Sequence, residues 1–68
     1  MLRVTIAGAS GFIGRHLIQA IQDVHTVKAL SRSVRKYEHQ NVVFKQTDLF
    51  SLTSVTEALK ETDIAIYL

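Results

Sequence analysis

Apolar and polar residues alternate over Leu2 to Ala7, "LRVTIA", where Leu2, Val4 and Ile6 share one face of an extended chain that runs into Gly8. The period then changes. From Phe12 to Gln22 the apolar positions Ile13, Leu17, Ala20 and Ile21 fall at i, i+4, i+7 and i+8, the spacing of one stripe on a helix. A second strand is predicted for His25 to Leu30, "HTVKAL", on its β-branched Thr26 and Val27, and a third for Asn41 to Gln46, "NVVFKQ". Between them Ser31 to His39 is polar and basic, with room for a loop and a short helix. Ser51 to Lys60, "SLTSVTEALK", predicts a second long helix with Leu52, Val55 and Leu59 on one side. Ser51 is the expected N-cap, and Ser54 with Glu57 forms an alternative capping box. Asp63 to Leu68, "DIAIYL", reads as a fourth strand.

Strands alternating with helices predict an α/β protein with right-handed crossovers and a parallel sheet. "IAIYL" is nearly all apolar, as in a strand buried on both faces. A chain that stops on such a strand leaves one edge unpaired. The expectation is therefore that residues 1–68 are the front piece of a larger doubly wound domain, or that a second chain covers that edge and self-association follows.

Composition bounds this picture. With 68 residues, 47% of them hydrophobic, the chain is globular and at most one domain, and at this size it is marginal by itself. The absence of cysteine excludes disulfides and thiolate metal sites and fits a reducing compartment. No secretory leader and no membrane-length apolar stretch is legible, so a cytoplasmic protein is expected. The net charge of +2 is mildly basic, but only Arg32, Arg35 and Lys36 cluster, and no aromatic residues interleave with them for stacking. A nucleic-acid partner is not expected.

The candidate chemistry lies in "IAGASGFIGRHL", where Gly8, Gly11 and Gly14 form GxxGxxG at the predicted strand-to-helix turn. One glycine turns the chain out of the strand, one lets the backbone approach a phosphate, and one lets the helix pack closely on the sheet. The helix points unpaired N–H groups and its positive dipole end at the loop, which suits an anion. The alternative is a tight turn in which glycine serves only the backbone. A P-loop is excluded, because no lysine followed by serine or threonine comes after the last glycine.

The end of the second strand discriminates between dinucleotides. A carboxylate about 20 positions after the glycines would receive a ribose 2′-hydroxyl, as for NAD. "SRS", Ser31 to Ser33, stands there instead, and Arg32 can pair with a 2′-phosphate, which favours NADP(H) over NAD(H). An ordinary solvated arginine is the other reading. Arg35 and Lys36 could assist, and Arg15 stands one residue beyond Gly14. In "TDLF", Thr47 to Phe50, Asp48 can accept a hydrogen bond from an adenine amino group with Leu49 against the ring, or it can cap the loop before the Ser51 helix; both readings stand. His16, His25 and His39 are dispersed without metal-ligand spacing and read as solvated or packed.

Taken in order, "IAGASGFIGRHL", "KALSRS", "TDL" and "DIAIYL" resemble the N-terminal part of extended and atypical short-chain dehydrogenase/reductase proteins, of the NAD(P)-binding, epimerase-like and NmrA-like kinds. The resemblance implies a Rossmann-type doubly wound parallel sheet, of which residues 1–68 would form the first four strands. It also implies that Gly8, Ser10, Gly11, Phe12, Ile13 and Gly14 lie along the pyrophosphate, that Arg32 and Ser33 meet the adenosine 2′-phosphate, and that Asp48 and Leu49 border the adenine. The family's catalytic YxxxK pair has no counterpart: Tyr37 is followed four residues on by Asn41, and Tyr67 ends the fourth strand. Two roles are thus implied. One is the cofactor-binding front of an oxidoreductase or nucleotide-sugar-epimerase-like enzyme; the alternative is a non-catalytic NAD(P)-sensing module, as in NmrA-like regulators.

Overall fold

The computed structural model of the chain describes residues 1–9, 11–32 and 36–68. Its elements run β1 (Arg3–Ala7), α1 (Phe12–Ile21), β2 (Thr26–Ser31), β3 (Val42–Gln46), α2 (Leu52–Ala58) and β4 (Ile64–Tyr67). The strands form one sheet in the order β3-β2-β1-β4, and every pairing is parallel. The chain thus steps outward from β1 through β2 to β3, then returns to the far side of β1. That reversal leaves a crevice at the carboxyl ends of the strands, where open α/β sheets bind ligands.

The alternation builds the core. Val4 is in register with Val27 and Ile64, and Val27 with Val42; two residues on, Ile6, Ala29, Phe44 and Ile66 repeat the row on the same face. Against this face packs α1, with Ile18 fully buried and Leu17 and Ile21 beside it. Removing Ile6 and Ile18 from water contributes roughly 1.5–3 kcal/mol each. The other face carries Thr5 and Lys28, and here α2 attaches. Lys28 Nζ donates to the carbonyls of Ala58 (2.9 Å) and Lys60 (3.2 Å), satisfying acceptors at the end of that helix with a cation. The hydroxyls of Thr5 and Thr62 lie 2.6 Å apart. Ser51 is the N-cap of α2, its side chain accepting from the Ser54 N–H; Glu57 pairs with Lys60 at 3.0 Å and takes no part in a cap.

At the amino ends of the strands, Asp63 ties β4 to β1. Its carboxylate accepts from the Arg3 backbone N–H at 2.8 Å and from the guanidinium Nε and Nη2 at 3.2 Å each, while its own N–H donates to the Arg3 carbonyl. The Arg3 side chain, then its backbone N–H, holds the Asp63 carboxyl below its ordinary pKa.

Three expectations from the sequence need correction. The buried stripe of α1 is Gly14, Leu17, Ile18 and Ile21; Ile13 is 68% exposed and Ala20 is exposed. The helix is rotated so that the glycine, not the isoleucine beside it, meets the Ala9 backbone of the preceding turn. No short helix covers residues 36–39, which are a loop held by Tyr37: its hydroxyl donates to Gln22 Oε1 at 2.6 Å and its ring lies 5.7 Å from that of Phe44. On α2 the deeply buried residue is Ala58, whereas Leu52 and Leu59 are exposed. As expected from the sequence, β4 has an unpaired edge: it pairs with β1 alone and is exposed at Ile64, Ala65 and Tyr67. The surface reflects this: 4832 Å² is exposed, against roughly 4,300 Å² for a compact monomer of this mass. Among the described residues no helix is long and apolar enough to cross a membrane.

Candidate functional site

Each glycine of the β1–α1 turn occupies a different physical situation. Gly8 ends β1 at φ +82°, the left-handed region that side chains resist, and a Cβ there would also stand 2.9 Å from the Leu68 carbonyl oxygen. Gly11 is the N-cap of α1 with extended backbone, and the nearest atom to a Cβ there is 3.8 Å away, so this position opens outward. Gly14 is buried against the chain: a Cβ would lie 2.7 Å from both the Cα and the carbonyl oxygen of Ala9. Turn, open approach and close helix packing are therefore divided among the three, in chain order.

Beyond Gly11 stand Phe12, Ile13 and Gly14, in the first turn of the helix, where backbone N–H groups lack an intrahelical acceptor as a rule. No side chain caps Gly11 and no acidic residue lies in the first turn, so the dipole end is free of a competing negative charge among the described residues. Phe12 and Ile13 are exposed beside it, and the Phe12 ring stacks at 4.3 Å on His16.

A cavity of about 430 Å³ opens at the carboxyl ends of all four strands. Gly8 of the turn, Leu30 and Arg32 at the end of β2, Leu49 and Phe50 after β3, and Tyr67 of β4 line it. That volume is at the lower end of the range for small-molecule sites. Arg32 is exposed at its margin, its carbonyl accepting from Gln46 Nε2 at 3.2 Å. Asp48 makes a loop contact, with Oδ1 accepting the Phe50 N–H at 2.9 Å, and it does not line the cavity.

The sheet thus brings together Gly8, Arg32 and Leu49 from the residues singled out by sequence, with Gly11 to Gly14 at the adjoining helix start. Ser10, Ser33 and Arg35 lie outside the described residues. Phe50 and Tyr67 were missed as lining residues. The available signal was their place immediately after β3 and at the end of β4, at the carboxyl edge.

Parallel strands in this order, a three-glycine turn feeding a helix start, and a cavity at the switch point define a Rossmann-like dinucleotide-binding α/β protein. The chain belongs to the NAD(P)H-binding family, which it matches over residues 8–68. It is 30% identical over 69 aligned positions to the oxidoreductase aprR of Aspergillus flavus, covering 96% of this chain and 23% of that protein. Among solved structures it resembles uronate dehydrogenase from Agrobacterium tumefaciens, in a substituted form complexed with NAD and in another structure, each at a TM-score of 0.88 and 22% identity. Those alignments cover 100% of this chain and 26% of the dehydrogenase, and they are likenesses of fold. The chain therefore spans about a quarter of the length of these relatives.

Proposed function

We propose that residues 1–68 form the cofactor-binding front of an NADP(H)-dependent oxidoreductase or epimerase-like protein. The observation that carries this reading is the division of labour among Gly8, Gly11 and Gly14 beside a cavity at the switch point. A bare turn would need Gly8 alone; an outward-opening Gly11 at a helix N-cap is what a diphosphate requires of the backbone. In this reading Gly11, Phe12, Ile13 and Gly14, with Ser10 in the turn, lie along the diphosphate. Arg32, with Ser33 next to it, receives the adenosine 2′-phosphate, and Leu49 packs on the adenine, with Asp48 ordering the loop that carries it. NADPH, when bound, supplies a hydride. The chain's own residues bind and orient, and proton transfer belongs to parts of a longer protein.

The NADP preference rests on Arg32 at the cavity margin and the absence of a carboxylate at the end of β2. Calorimetric titration tests it: NADPH should bind more tightly than NADH, and Arg32→Ala should narrow the gap by about 1.5–3 kcal/mol, the worth of a hydrogen bond to a charged group. Equal affinities, or a gap untouched by the substitution, would remove Arg32 from the site.

A further inference from the structure

Phe50 is the most exposed large apolar side chain among the described residues, at 94%, and the backbone that carries it is held by hydrogen bonds on both sides. Its own N–H donates to Asp48 Oδ1 at 2.9 Å, and the next N–H, of Ser51, donates to the Asp48 carbonyl at 3.1 Å. Ser51 then caps α2 by accepting from the Ser54 N–H. The residue is thus clamped between a side-chain turn and a helix cap, and it lines the cavity next to Leu49, with Arg32 on the same wall system. Leu52 and Phe12 are also exposed, but neither lines that space. A flat apolar ring carried on an ordered backbone at the margin of a cavity that also presents a guanidinium suits a ligand with an aromatic base at one end and a phosphate close by.

Resting on the adenosine reading of this cavity, we propose that Phe50 is a base-stacking residue and that Asp48 is its positioning residue, acting through the Phe50 N–H and not through the adenine. An aromatic platform under a base is indifferent to the base's hydrogen-bonding edge, so the contact strengthens binding of the adenosine half without selecting between NADPH and NADH. Discrimination stays with Arg32.

The test is calorimetric titration of the 68-residue chain with NADPH and with adenosine 2′,5′-bisphosphate, each variant's melting curve being recorded alongside. Phe50→Ala should weaken both ligands about tenfold, the loss expected for one base stack, and Phe50→Tyr should retain affinity. Asp48→Ala should weaken both to a similar degree, and Asp48→Asn, whose amide oxygen can accept the same N–H, should restore binding. In the Phe50→Ala background, Asp48→Ala should add no further loss. Unchanged affinity in Phe50→Ala, or a lowered melting temperature with binding intact, overturns the stacking role. A further loss from Asp48→Ala in that background overturns the positioning role, because the carboxylate would then touch the nucleotide itself. A parent chain that binds neither ligand overturns the dinucleotide reading, and this inference falls with it; binding that survives Phe50→Ala overturns this inference alone.

Discussion

The two ends of the sheet differ in what their polar groups are doing. At the amino end a cavity of about 380 Å³ is bordered by Arg3, Lys28, Lys45 and Lys60, but Arg3 is bound to Asp63, Lys60 to Glu57, and Lys28 to the carbonyls at the end of α2. At the carboxyl end the turn is built on glycine, the helix start has no side-chain cap and no acidic residue in its first turn among the described residues, and aromatic rings stand in solvent. Cations are more numerous at the first cavity, yet three of these four are engaged in holding the fold together.

Gly14→Ala should have the largest effect on this contrast. The added Cβ meets the Ala9 backbone at 2.7 Å, which no side-chain rotation relieves. Overpacking of this kind costs about 1–3 kcal/mol, and shifting α1 off the sheet moves the donors as well. Urea unfolding should show the lost stability and titration the lost NADPH affinity. A variant as stable as the parent would mean that the helix does not need its close seat.

The smaller effect belongs to the amino end. Because Arg3 holds the Asp63 carboxyl below its ordinary pKa on folding, that pair stabilises the chain above the ordinary carboxylate value, about 4, and the contribution disappears as pH falls through the depressed value. Both side chains are partly exposed, so the effect is modest. Asp63→Asn should flatten the acid limb of the stability curve while leaving NADPH affinity at neutral pH as it was. Loss of binding there would erase the distinction between the two ends.

Much of the architecture was legible because it rests on side-chain period. The strand alternation at Val4 and Ile6, the change of period after Gly11 and the Ser51 cap all come through in the finished fold. What failed did so where a small residue makes the contact. Gly14 and Ala58 are the buried points of their helices, and a pattern weighted toward large apolar residues looks past both. The apolar run of β4 lies at the sheet's edge in this chain, with the unpaired edge that its sequence led us to expect. In the site, the glycines and Arg32 were visible from spacing, whereas Phe50 could not be separated from an ordinary core aromatic until its loop was seen to turn it outward. Asp48 carried two readings in sequence, and the hydrogen bond to Phe50 realises the loop one.

Backbone amide shifts recorded by NMR during titration with NADPH address the glycine turn most directly. The N–H signals of Gly11, Phe12, Ile13 and Gly14 should move first and farthest, together with those lining the cavity at Arg32 and Leu49, while Arg3, Lys28 and Asp63 stay put. Perturbation centred on Arg3, Lys28 and Asp63, with the Gly11 to Gly14 amides unmoved at saturating ligand, would contradict it.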